Sequence, residues 1–205
     1  MTSNPPIVLG ITGGIACGKT ETGRIFSEAG FDVLDTDLLA HQLMRAGTPV
    51  WGRVVERFGE SIVGLDGEID RVRLGSIVFD DPKARETLNQ LVHPAVIRAA
   101  EKWVAERRDV GKETAVLVPL LFEVGWIEGW DVVVCVAADE DVVFQRLEKR
   151  GLSKKEARKR IKAQMPLAEK KAQASFSIDN NGSLEALHSK TLSLLERIRN
   201  ERNKV

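Results

Sequence analysis

The chain has 205 residues, 43% apolar and 29% charged, which is enough for a packed core and too apolar for a disordered chain. Lys and Arg number 30 against 30 Asp and Glu, so the chain as a whole is not a polycation built to hold nucleic acid. Two cysteines, Cys17 and Cys135, make no disulfide framework and suit a reducing compartment. Met1 to Pro6 has no basic leader, and no run of about 18 apolar residues could span a membrane. The expected protein is soluble, cytoplasmic and monomeric, with weak self-association left open.

Ile7 to Thr12 is apolar, largely β-branched, and reads as a buried strand running into Gly13-Gly14. Lys19 to Ala29 reads as a helix with Gly30 past its end, and Phe31 to Leu34 as a second strand. Strand, glycine loop, helix and strand make a βαβ unit, and its right-handed crossover predicts a parallel sheet. Thr36 to Asp109 has no convincing strand. Its helical stretches are punctuated at Gly47-Thr-Pro49, Leu65-Asp-Gly67, Asp81-Pro82 and His93-Pro94, with His93 placed at a helix start. Ala115 to Val118 and Val132 to Val136 read as strands covered on both faces, because neither alternates apolar with polar.

Asp139 to Arg150 reads as a helix capped by Asp139. Ser153 to Lys171 reads as two helical pieces split by Pro166. Lys149 to Lys171 carries ten Lys or Arg against two Glu. Phe176 to Asp179 reads as the last strand. Leu184, Leu187, Leu195 and Ile198 stand at helical spacing on a C-terminal helix with Ser183 as its cap.

Gly13-Gly-Ile-Ala-Cys-Gly-Lys-Thr20 matches the phosphate-loop pattern G-x-x-x-x-G-K-[ST]. Glycines allow a tight turn that aims the N–H groups of Gly14, Ile15, Ala16, Cys17 and Gly18 at one anion, and the following helix adds the positive end of its dipole. Lys19 would meet the β- and γ-phosphates, and the Thr20 hydroxyl would ligate Mg²⁺. This gives a nucleoside triphosphate and Mg²⁺ without naming a reaction. Asp35-Thr-Asp37 closes the second strand at the end of the sheet where ligands bind. Asp35 there can accept a proton from an attacking hydroxyl or hold a metal-bound water, while Asp37 can cap the next helix.

Together these residues resemble the dephospho-CoA kinase family, relatives of the nucleoside monophosphate kinases. The likeness rests on Thr12-Gly-Gly-Ile-Ala-Cys-Gly-Lys-Thr20, Leu34-Asp-Thr-Asp37, Leu91-Val-His-Pro94, Val118-Pro-Leu-Leu-Phe-Glu123, Ala163-Gln-Met-Pro166 and Ile178-Asp-Asn-Asn-Gly182. Cys17 stands where the family usually has serine, and Thr36 where it usually has alanine. The resemblance implies an α/β, three-layer P-loop core with a parallel sheet, residues 1–39, 109–149 and 175–205. It also implies a helical CoA-binding subdomain, residues 40–108, and a lid, residues 150–174. The implied reaction is ATP-dependent phosphorylation of the ribose 3′-hydroxyl of dephospho-CoA.

On that reading Asp35, Lys19 and Arg146 are the catalytic candidates. The phosphate loop from Gly13 to Thr20, with Arg150, Arg160 and Asn180, would hold ATP. Asp35, His93, Leu120 and Leu121 would meet the acceptor, with Phe122 packed inside. Arginines suit paired phosphate oxygens, and Arg146 and Arg150 are four apart on one predicted face.

Two other classes read less well. The basic segment could follow a nucleic-acid backbone, but it has no aromatic residue for base stacking. A regulatory GTPase needs N-K-x-D late in its core. Here Asn203-Lys204 stands with no Asp after it. A different small-molecule kinase stays open on the loop alone and is separated by an acceptor panel.

Overall fold

The computed structural model describes residues 5–203. Met1–Asn4, and with them most of the segment read for a leader, lie outside the described residues, as do Lys204 of Asn203-Lys204 and Val205. Described residues divide into two compact units, one formed by residues up to Asp35 with those from Trp103 onward, the other by Thr36–Lys102.

The first unit opens with β1 (Val8–Gly13), α1 (Lys19–Glu28) and β2 (Asp32–Asp35), and resumes with β3 (Thr114–Leu117) and β4 (Val132–Ala137). All six residues of β1 and all four of β3 are buried, as their unbroken apolar runs require. The five-stranded sheet is parallel throughout, in the order β2-β3-β1-β4-β5, where β5 is Phe176–Asp179. The β1–α1–β2 crossover therefore skips one strand position, which β3 fills from more than seventy residues away. Register pairs Leu117 of β3 with both Ile11 of β1 and Asp35 of β2, so these three share one row.

Alternation along β1 sends Leu9 and Ile11 to one face, into a core with Ile25 and Phe26 of α1 and Val134 and Val136 of β4. Leu187, Leu195 and Ile198 of α9 (Leu184–Arg202) complete that layer. Each such side chain contributes about 1.5–3 kcal/mol by leaving water. Gly10, on the opposite face of β1, lies under Trp130 and Leu121; a Cβ added to it would stand 3.0 Å and 3.1 Å from their nearest atoms. The loop between β3 and β4 thus covers this face of β1. Leu184, expected on the buried stripe of α9, is exposed, because the stripe begins one turn later at Leu187. Thr191 fills the gap in the stripe, its hydroxyl bonded back to the Leu187 carbonyl at 2.8 Å.

The basic segment follows α6 (Glu140–Lys149). It forms α7 (Lys154–Lys162), opened by a reciprocal capping box between Ser153 and Glu156, and α8 (Leu167–Gln173), which starts right after Pro166. α8 packs on β1 and β4. Asp139 stands at the N-cap of α6 as expected, but its carboxylate makes no capping bond; instead its N–H donates to Asn181 Oδ1 at 2.8 Å.

The second unit is helical. It contains α2 (Thr36–Leu43), α3 (Pro49–Phe58), a short 3-10 turn (Glu60–Ile62), α4 (Arg71–Asp80) and most of α5 (Pro82–Asp109). Its core joins Val50, Val54, Ile62, Leu74, Val92 and Val96. The only strand-like feature among its described residues is an isolated bridge between Val63 and Ile69. His93-Pro94 starts no helix here; Pro94 sits inside α5. Proline there removes one helical hydrogen bond, yet Val92, Val96 and Ala100 are buried around it, so packing carries the helix through.

Candidate active site

The site begins where β1 ends. Gly13 has φ +142°, and a Cβ on it would stand 2.0 Å from the Val136 carbonyl oxygen of β4, so only glycine lets the chain turn there. Gly18 has φ +105° and would clash with the Asn180 amide at 2.3 Å. Between these two glycines the loop runs to α1, whose N-terminal dipole end faces whatever the loop holds. Lys19, the first residue of α1, donates to the carbonyls of Gly13 at 3.0 Å and Gly14 at 2.8 Å. Its ammonium is thus folded over the loop's own oxygens. Thr20 is exposed in the first turn of α1.

Two candidates for ATP contact brace the loop. The Asn180 side chain is buried behind the loop and donates to the Cys17 carbonyl at 2.8 Å, while its N–H donates to Ala137 at 2.7 Å. Arg146 donates to the Ala16 carbonyl at 3.2 Å and to the Asn180 carbonyl at 2.9 Å. With these carbonyl partners, both residues fix the backbone that would meet phosphate. Arg150 has left the helix as the C-cap of α6, so the face expected to be shared with Arg146 does not form. Arg150 and Arg160 are both exposed.

At the far side of β3, Asp35 ends β2, half-buried. Strand spacing of about 4.8 Å puts its row about 10 Å from β1, with β3 between. β3 runs on into Pro119–Glu123. Here Leu120 and Leu121 were both expected against ligand. Leu121 is instead fully buried against Gly10, whereas Leu120 and Phe122 are half-buried, because the alternating face of β1 needs one large side chain over its glycine. His93 lies in the second unit, half-buried on α5. Burial holds its pKa below the usual 6.5, with Glu86 pulling the other way.

Three residues with no assigned role in the sequence reading also belong to the site. Gln164 Oε1 accepts from the Ile15 N–H of the phosphate loop at 3.0 Å. Glu123 Oε1 accepts from the Met165 N–H at 3.0 Å and pairs with Lys170 Nζ at 2.7 Å. A cavity of about 220 Å³ lies beside the loop, bounded by Gly14, Ile15 and Cys17 and, across from them, by Ile161, Gln164 and Leu167. Gln164 and Glu123 were visible within Ala163-Gln-Met-Pro166 and Val118-Pro-Leu-Leu-Phe-Glu123. Lys170 carried no signal separable from its basic neighbours.

The family model for dephospho-CoA kinase matches residues 7–186, most of the chain. The chain belongs to the dephospho-CoA kinase family. The dephospho-CoA kinase of Geobacillus kaustophilus is 41% identical over 195 residues, covering 93% of this chain and 96% of the relative. That of Arabidopsis thaliana is 39% identical over 194 residues, covering 94% and 84%. Among solved structures, the dephospho-CoA kinase of Campylobacter jejuni superposes with a TM-score of 0.72 at 25% identity, covering 95% of this chain and 98% of that one. A Thermus thermophilus protein gives 0.76 at 32% identity, covering 95% and 98%. Shikimate kinase from Acinetobacter baumannii, at 14% identity and a TM-score of 0.56, covers 96% and 94% and shares the fold.

Cys17, where dephospho-CoA kinases usually have serine, decides a reactivity question. Its place at a helix N-terminus beside Lys19 suggests an activated thiol. The structure shows 1% exposure, and burial pushes the thiol up in pKa; Lys19 and the N–H groups of Ala138 and Gly14 oppose this without prevailing. Cys135 is also buried, its thiol pushed up to about 11 chiefly by burial. Both cysteines should therefore resist alkylation in the folded protein and react together on unfolding. Rapid modification of Cys17 alone, read by peptide mapping, would show that the loop opens.

His93 gives a pH prediction. A folded-state pKa below the ordinary 6.5 means the unfolded chain binds the proton more readily, so His93 favours folding above pH 6.5 and loses that contribution as pH falls below it. Melting temperature should drop more steeply below pH 6.5 in the native chain than in His93→Gln. Parallel curves would remove His93 as the cause.

Proposed function

We propose that the chain transfers the γ-phosphoryl group of ATP to the 3′-hydroxyl of the dephospho-CoA ribose, giving coenzyme A and ADP. One observation carries this reading: a braced phosphate loop ends β1 and a carboxylate, Asp35, ends β2, with the end of β3 between them. Family membership supplies the acceptor's identity. The loop amides and Lys19 would hold the phosphates and the charge that develops on the γ-oxygens. Asp35 would orient the ribose hydroxyl and take its proton.

Among the described residues, no three His, Cys, Asp or Glu side chains gather to hold a metal by themselves. That donor set fits Mg²⁺, which needs only one or two protein oxygens beside substrate phosphates and water. Thr20 would supply one, and Asp35 would reach the ion through a bound water. When bound, Mg²⁺ neutralises phosphate charge.

Leu120 would contact the acceptor. Arg150 and Arg160 would close over ATP from a lid narrower than residues 150–174, since α8 already packs on the sheet. Two free, buried thiols suit the cytoplasm, where the chain would act as a monomer. No helix among the described residues is long and apolar enough to cross a membrane. The test is ADP release from Mg²⁺-ATP with dephospho-CoA, without it, and with shikimate and nucleoside monophosphates as alternative acceptors. Release specific to dephospho-CoA is expected; equal release with another acceptor would overturn the assignment.

A further inference from the structure

Lys170 is the one fully buried charged side chain among the described residues, at 0% exposure. Its ammonium donates to the Pro119 carbonyl at 2.7 Å and pairs with Glu123 Oε1 at 2.7 Å. Pro119 lies two residues past Leu117, whose row includes Ile11 and Asp35. The ammonium therefore sits at the end of β3, the strand that separates the phosphate loop from Asp35. The Glu123 oxygen that Lys170 holds also accepts from the Met165 N–H at 3.0 Å. The residue before Met165 is Gln164, whose side-chain Oε1 accepts from the Ile15 N–H of the phosphate loop at 3.0 Å. Two polar links, Lys170–Glu123–Met165 and Gln164–Ile15, thus meet on adjacent residues of one turn.

Burying one partner of an ion pair is poor stability engineering: Lys170 lies wholly out of water, whereas the Glu123 side chain keeps 19% exposure. Removing the ammonium from water costs several kcal/mol before attraction and hydrogen bonds offset it, and an apolar residue of the same volume commonly does as well. A pair like this fixes geometry, because its bonds are directional and its unpaired alternatives are costly. Here the fixed parts are the backbone after β3 and the turn that touches the phosphate loop.

We infer that Lys170 is a positioning residue: through Glu123 and the Pro119 carbonyl it locks the loop after β3 and the Gln164–Pro166 turn against the phosphate loop, setting nucleotide and acceptor at reacting distance. The link to the acceptor rests on the function proposed above; the link to the phosphate loop does not. Misplacement of reacting groups by about 1 Å can cost on the order of a hundredfold in rate, so a loosened clasp should be visible in kinetics.

The experiment compares Lys170→Met, which keeps the stem and drops the charge, with Lys170→Arg and Glu123→Gln in the full chain. Readouts are kcat and KM for ATP and for dephospho-CoA, ATP affinity by titration without acceptor, and amide exchange at Ile15 and Met165. For Lys170→Met, kcat/KM for dephospho-CoA should fall at least about tenfold, ATP affinity should fall several-fold, and exchange at both amides should quicken. Lys170→Arg should recover part of each. In the Glu123→Gln background, Lys170→Met should cost less than it does alone. If Lys170→Met does not fold, Glu123→Gln carries the test: it weakens the same pair and should quicken exchange at Met165 first. A folded Lys170→Met with kcat, both KM values and both exchange rates within twofold of the parent would overturn the inference. A drop in melting temperature alone, with kinetics unchanged, would equally overturn it. Should the parent chain fail to phosphorylate dephospho-CoA while Lys170→Met still loses ATP affinity, the assigned reaction fails and the clasp on the phosphate loop stands.

Discussion

Lys19→Ala should lower kcat by on the order of a hundred- to a thousandfold while the chain stays folded. Lys19 bonds to the carbonyls of Gly13 and Gly14 at 3.0 Å and 2.8 Å. Those bonds sit at a half-exposed site, so losing them should cost no more than about 1 kcal/mol each. The larger effect belongs to phosphoryl transfer, in which little covalent work is left to the protein and charge placement supplies most of the catalysis. Lys19→Arg should rescue poorly: a planar guanidinium cannot replace a compact ammonium between two carbonyls and a phosphate. Rate at saturating ATP and dephospho-CoA, beside circular dichroism, checks both halves. Near-normal turnover in the alanine variant would remove Lys19 from transition-state stabilisation, and unfolding would make it a structural strut.

What was legible from the sequence is what local chemistry determines. β1, the phosphate loop and α1 are contiguous, and each leaves its own mark: an unbroken apolar run, glycines where φ turns positive, and an amphipathic stretch. The place of β3 between β1 and β2 left none. It depends on a strand that returns more than seventy residues later, and an apolar tetrapeptide does not name its neighbours. Pro94 misled for a similar reason: a local breaker signal was outweighed by the burial of Val92, Val96 and Ala100 on the same helix.

The candidate site divides the same way. Gly13 and Gly18 were legible because only glycine tolerates their backbone. The bracing contacts of Arg146 and Asn180 were not, because a residue able to grip phosphate is equally able to grip a carbonyl. Lys170 was hidden by its surroundings. In a segment with ten basic residues a solvated face is the default, and nothing in the letters says that one of them turns inward to Glu123. Leu120 and Leu121 show the limit at its smallest scale: two identical neighbours, one buried under β1's glycine and one not.

Asp35→Asn should lower kcat by roughly a hundredfold or more and leave ATP affinity nearly unchanged. Asp35 ends β2 in the row of Leu117 and Ile11, about 10 Å across the sheet from the strand that carries the phosphate loop. That separation leaves room for a γ-phosphate and a ribose hydroxyl between them, and it keeps the carboxylate off the nucleotide itself. The competing account makes Asp35 a cap, since α2 begins at the next residue. Asparagine separates the two accounts: it caps a helix as well as aspartate does, but it cannot take a proton at neutral pH. Under the capping account Asp35→Asn should be silent in both stability and rate, and Asp35→Ala should lower the melting temperature. Under the chemical account Asp35→Asn loses turnover with its melting temperature intact, and Asp35→Ala adds a stability loss of about 1 kcal/mol to the same loss of rate. Turnover of Asp35→Asn equal to that of the parent would leave proton acceptance to water or to the departing phosphoryl oxygens, and Asp35 would be a cap alone.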